Sequence, residues 1–102
     1  MAKLDTQNRL TLPQALVEIS DTDFNSDVRL FFRGKELFLD NPSPSNSKKN
    51  CLGEIHLDEH HRFFVPKLAR EVFNLKPGDN INFYVLNGKI TFRKFFFIPE
   101  IR

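Results

Sequence analysis

Apolar and polar positions alternate through Ile81, Phe83 and Val85 against Asn82 and Tyr84, and again through Ile90 and Phe92 against Thr91 and Arg93. Period-two alternation marks a half-buried strand. Between the two runs lies Asn87-Gly88, the favoured two-residue hairpin turn because both positions tolerate positive φ. Val28 to Phe32 and Glu36 to Leu39 flank Arg33-Gly34 and predict a second hairpin. Leu10 to Leu12 and Phe63 to Val65 read as short strands, each after a polar turn that opens on Asp5 or Asp58. Leu68, Val72 and Phe73 recur at the spacing of one helical face. Pro66 suits the first helical position, where its missing N–H would be unpaired anyway, and Leu75-Lys76-Pro77-Gly78-Asp79 turns the chain out of the helix. The matching helix of the first half runs from Pro13 to Ile19 and enters the acidic loop Ser20 to Asp27.

These elements repeat. Residues 4–13 and 57–66 share the skeleton Leu-Asp-x-x-x-Arg-apolar-x-apolar-Pro at a spacing of 53 residues. Arg33-Gly34-Lys35 and Asn87-Gly88-Lys89 match at 54, which predicts one inserted residue in the second copy. The segment from Asn41 to Asn50 has two prolines and no apolar residue, and reads as an extended, solvated linker. The chain thus divides into a first repeat at 3–40, a polar linker at 41–51, a second repeat at 52–94 and an apolar tail at 95–102. A unit of about 45 residues buries too little surface to stand alone, so the two copies are expected to share one core as a single domain.

Composition narrows the chemistry. The 102 residues carry a formal charge of +2, too little to announce nucleic-acid binding, but the charge is uneven. Residues 1–50 hold seven basic and seven acidic side chains, and residues 51–102 hold eight and six. Cys51 has no partner for a disulfide, no stretch has the length of a membrane helix, and the N-terminus turns polar at once; a reducing, cytoplasmic setting is expected. His56, His60 and His61 lie near Cys51, Glu54, Asp58 and Glu59, yet the paired ligand motifs of a structural zinc site are missing, so neither a metal nor a cofactor is expected. No phosphate loop, oriented nucleophile or distinct carboxylate pair points to an enzyme.

The stretch from Gly53 to Lys94, with its Asp-x-x-x-Arg turn, apolar strand, Pro66, short helix, Leu75-x-Pro-Gly-Asp and Asn87-Gly88 hairpin, resembles the AbrB-like swapped-hairpin domain of bacterial regulators. Two copies in one chain are similar to the MraZ arrangement. The resemblance implies a mainly β fold with short helices, an intertwined swapped-hairpin β-barrel built by two tandem repeats as a pseudo-dimer. It also implies transcriptional regulation through double-stranded DNA. On that match Arg9 and Arg62 are the motif arginines and Arg70 is a basic residue of the short helix, whose counterpart in the first repeat is Val17. Where the family has Gly before the motif Arg, this chain has Asn8 and His61. Lys3 and Lys67 add charge near the turns, and His60 and His61 fill the loop positions held by Gln7 and Asn8 in the first repeat.

The residues themselves support two readings of each turn. Asp5 or Asp58 can accept backbone N–H bonds and orient the turn, leaving the arginine's planar fork for a phosphate or a guanine edge. Alternatively each Asp clamps its own Arg and the turn meets no ligand. On the second reading the chain is a protein-interaction module, an antitoxin or assembly partner. Independently of that choice, Phe95-Phe96-Phe97-Ile98-Pro99-Glu100-Ile101 is a candidate for core filling, for a homo-oligomer contact or for a toxin partner.

Overall fold

The computed structural model describes residues 2–46 and 48–95. The first repeat contains β1 (Ala2–Lys3), β2 (Arg9–Thr11), α1 (Gln14–Ile19), β3 (Val28–Arg33) and β4 (Glu36–Asp40). A single 3-10 turn at Lys48–Asn50 leads into the second, made of β5 (Cys51–Ile55), β6 (Arg62–Phe64), α2 (Lys67–Val72), β7 (Asn80–Leu86) and β8 (Lys89–Lys94). The protein is mainly antiparallel β with two short helices.

Six strands form one sheet in the order β1-β7-β8-β4-β3-β5, and β2 pairs with β6 alone. Each repeat's first strand therefore joins the other repeat's hairpin. Shifting residues by 53 between the halves turns one set of pairings into the other: Ala2 opposite Ile81 becomes Ile55 opposite Val28. The two shared ladders map onto themselves. Leu10 lies opposite Phe63, and Arg9 opposite Phe64 becomes Arg62 opposite Thr11. In the β4–β8 ladder Leu37 lies opposite Phe92. Among the described residues the pairings close no barrel, since β1 and β5 end the six-stranded sheet.

The core follows the same equivalence. Leu10 and Phe63, Leu12 and Val65, Val28 and Ile81, Leu37 and Ile90, and Leu39 and Phe92 are all buried. Burying each such side chain contributes about 1.5–3 kcal/mol, and neither repeat can make these contacts alone.

Several expectations are corrected. No residue is inserted in the second repeat: the hairpin turns are Gly34-Lys35, where only the glycine has positive φ (63°), and Asn87-Gly88, where both do (53° and 80°). Gly34 is thus the equivalent of Asn87, at 53, and its match to Gly88 was a coincidence between a turn that takes Gly first and one that takes it second. Pro66 caps α2 from outside instead of occupying its first turn. Leu68 and Val72 are exposed, and the helix buries only Ala69, with Phe73 packing from beyond its end. Thr91 breaks the alternation: it is buried and its hydroxyl donates to the Lys89 carbonyl at 3.1 Å.

The linker is polar but not simply extended. Asn46 N–H closes a turn onto Ser43 O, and its side-chain amide donates to Asp40 and to Asn41 O. Cys51 belongs to β5, not to the linker. A bulge in β5 at Leu52 breaks its alternation; beside it Gly53 sits at φ 146°, where a Cβ would meet Pro66 at 2.9 Å. Of the apolar tail at 95–102, only Phe95 lies within the described residues; it is partly exposed and its N–H donates to Asn80 O at 2.8 Å.

Candidate nucleic-acid interface

Both Asp-x-x-x-Arg segments fold into the same turn. Asp5 Oδ1 accepts the N–H of Gln7 at 2.9 Å and of Arg9 at 2.8 Å, and Oδ2 accepts Arg9 Nε at 2.9 Å. Asp58 Oδ1 accepts the N–H of His60 at 2.8 Å and of Arg62 at 2.9 Å, and Oδ2 accepts Arg62 Nε at 2.8 Å. Backbone bonds close each loop, Asp5 N to Arg9 O at 3.0 Å and Asp58 N to Arg62 O at 2.9 Å. The position before each arginine takes positive φ, 62° at Asn8 and 60° at His61. Both positions are held by residues with a side chain, Asn and His, types that enter this conformation more often than most non-glycine residues.

Hydrogen bonding to the charged form governs the carboxylates. The Arg62 backbone N–H is the main cause that lowers Asp58 to about 2; partial burial opposes it, and the Arg62 guanidinium and His60 N–H add to it. At Asp5 burial pushes the value up, but the Arg9 N–H, the Arg9 guanidinium and the Gln7 N–H together outweigh it, and the net shift is downward.

The two turns sit at opposite ends of the antiparallel β2–β6 ladder, each beside the end of the other repeat's strand. Leu12 N–H donates to His61 O, and Val65 N–H donates to Asn8 O, both at 2.9 Å, extending the β2–β6 pairing into each loop. Arg9 and Arg62 give Nε to their own aspartates and keep 22% and 33% of their side chains exposed. Among the described residues no ion pair engages their terminal nitrogens. The geometry therefore contains the clamp, and it also leaves part of each fork open to an anion.

The remaining predicted residues differ in what they do. Arg70 turns inward enough for Nε to donate to Val65 O at 3.1 Å, which ties α2 to the end of β6. Lys67 is exposed and lies 3.9 Å from Glu71 one helical turn on. Lys3 is exposed in β1, two residues before Asp5. His60 is exposed, with Nε2 3.5 Å from Glu59 Oε1, whereas His61 is half-buried and serves the loop through its carbonyl. No group of three or more His, Cys, Asp or Glu among the described residues is placed to hold a metal. None of the helices described is long and apolar enough to cross a membrane.

Phe64 was missed by sequence reasoning. Its ring is 63% exposed, and the Arg9 guanidinium carbon lies 5.9 Å from its centroid, within reach of a cation–π contact. The signal was present, since Phe64 is the outward position between two inward ones, Phe63 and Val65. Its equivalent is Thr11, so among the described residues Arg9 faces an aromatic ring across the ladder and Arg62 faces a threonine. No protein-family model, curated protein or solved structure matches this chain.

Proposed function

We propose that this protein is a DNA-binding transcriptional regulator that uses the Asp-x-x-x-Arg turns of both repeats, in a swapped-hairpin arrangement of the AbrB-like type duplicated as in MraZ. The observation that carries the reading is the β2–β6 ladder, whose outward face carries Arg9 at one end and Arg62 at the other, each oriented by the aspartate of its own turn and partly exposed. Arg9 and Arg62 contact the duplex, with His60 on the second turn, Lys3 in β1 and Lys67 in α2 adding donors and Arg70 holding α2 in place. Exchange of the first strands between repeats supports the swapped-hairpin assignment. Such a protein works in the cytoplasm, as a binding protein and not as an enzyme.

Fluorescence anisotropy with the DNA upstream of its own gene tests this at two salt concentrations. Arg9→Ala/Arg62→Ala is expected to weaken binding and to reduce the log–log salt slope by about 0.9 for each lost contact. Equal, weak binding by the double variant and the wild type sinks the proposal. The second reading, a protein-interaction module, is favoured by the clamps, because each arginine already spends Nε on its own aspartate.

A further inference from the structure

The two places where a helix hands the chain to a hairpin are equivalent by the 53-residue shift, yet among the described residues one is closed and the other open. At the closed junction Asp21 N–H donates to Gly88 O at 2.9 Å, and Lys89 Nζ reaches Asp21 at 2.6 Å and Asp40 at 2.9 Å. Thr22 is buried there, its hydroxyl donating to Leu39 O at 3.2 Å. An acidic loop of the chain itself seals the sheet end.

At the open junction the equivalents of Asp21, Thr22, Gly88, Lys89 and Asp40 are Asn74, Leu75, Lys35, Glu36 and Arg93; Glu36 accepts the Tyr84 hydroxyl and does not line the cavity that opens there. Here α2 ends differently from α1. Asn74 takes φ 53°, and Leu75 N–H bonds back to Arg70 O at 2.9 Å, a left-handed helix cap, whereas Ser20 after α1 is extended at φ −74° and ψ 158°. The cap turns the chain aside, and a cavity of about 480 Å³ remains between the first hairpin and α2. Phe32, Leu37, Phe73 and Leu75 supply its apolar lining. Lys35, Arg93 and Lys94 line it as well; Lys94 is held by Asp79 at 3.2 Å, while Lys35 and Arg93 enter no ion pair among the described residues. Val72 borders the cavity and, like Leu68 one turn before it, is exposed, so the apolar surface continues along α2.

We propose that this groove is a docking site for an acidic, aromatic-bearing peptide segment of a partner protein. Charge complementarity selects the occupant: the cations at the groove call for carboxylates, and the lining of Phe and Leu side chains calls for an apolar anchor. The closed junction shows the same kind of segment in place, since its loop carries Asp21, Asp23 and Asp27 around Phe24, which packs against the core. The site is separate from the Asp-x-x-x-Arg turns and does not depend on their binding DNA.

The test is an NMR titration of the full-length protein with a synthetic peptide copying residues 20–28, Ser-Asp-Thr-Asp-Phe-Asn-Ser-Asp-Val. Saturable shifts confined to Phe32, Leu37 and the end of α2 are expected. Replacing the three aspartates of the peptide by Asn, or introducing Lys35→Glu/Arg93→Glu in the protein, is expected to weaken binding about tenfold. Both of those protein side chains are exposed, so the variant is expected to keep the wild-type spectrum elsewhere. No saturable shift at about 2 mM peptide overturns the proposal, as does equal binding by the Asn peptide. Shifts of the same groove residues by a 20-base-pair duplex, with none from the peptide, overturn it in favour of a nucleic-acid site.

Discussion

Asp58 and Asp5 each hold a turn through three hydrogen bonds, and the chemistry of those bonds is legible in pH. A carboxylate whose folded value lies below its unfolded value of about 4 adds stability that is complete above pH 4 and disappears as pH falls through the folded value. For Asp58 the window runs from about 4 down to about 2. Carboxyl-carbon NMR is expected to place the Asp58 midpoint near 2, with the Arg62 amide shift following it, and Asp58→Asn is expected to abolish that amide titration. A midpoint near 4 would mean that the clamp does not form in solution. His61 makes a second residue-scale case. An L-residue at φ 60° carries a conformational cost, so His61→Gly is expected to be neutral or stabilising, whereas His61→Val is expected to cost about 1–2 kcal/mol in urea unfolding. The need for positive φ before the arginine was invisible in Asn8 and His61 taken singly, because neither residue demands it. Their shared place in two aligned motifs was readable, and the structure supplies its meaning.

At the scale of elements, hairpins and helices were legible from period and turn chemistry, while β1 and β5 were not. β1 spans two residues, too few to show any period, and the bulge at Leu52 puts the buried Leu52 and Ile55 out of alternation. The glycine in that bulge was an unread clue. Gly53→Ala is expected to destabilise by about 1–3 kcal/mol, because its φ of 146° disfavours a side chain and its Cβ would press on Pro66. Thermal unfolding measures it, and an unchanged Tm would show that Pro66 moves aside without cost. The missing side chain of Gly53 is what lets Pro66, at the start of α2, lie close against β5. Helix faces were misread for a related reason: the apolar spacing of Leu68 and Val72 is genuine, but α2 has only six residues and meets the core through Ala69.

For the molecule as a whole, strand exchange makes the two repeats one folding unit. β1 of the first repeat depends on β7 of the second, and β5 depends on β3. Fragments 1–46 and 47–102 are each expected to lack β-sheet circular dichroism when alone and to regain it when mixed in equal amounts. A stable sheet in either fragment by itself would show that exchange is not what holds the core together. In the intact chain, urea is expected to unfold both repeats in a single transition, because the core pairs Leu10 with Phe63 and Leu37 with Phe92 across the repeat boundary.

By itself the sequence determined the local elements and their duplication: alternation dictates strands, Asn-Gly dictates a tight turn, and a motif repeated at 53 residues dictates that both halves adopt the same plan. It could not decide which copy each short strand would pair with, because backbone hydrogen bonds are alike for every partner and the choice is made by the core that both hairpins bury together. Nor could it decide that one helix-to-hairpin junction closes on Asp21 and Lys89 while its equivalent, among the described residues, stays open beside Lys35 and Arg93. That difference arises where the left-handed Asn74 redirects the chain, and its consequence exists only once the hairpin of the other repeat lies alongside.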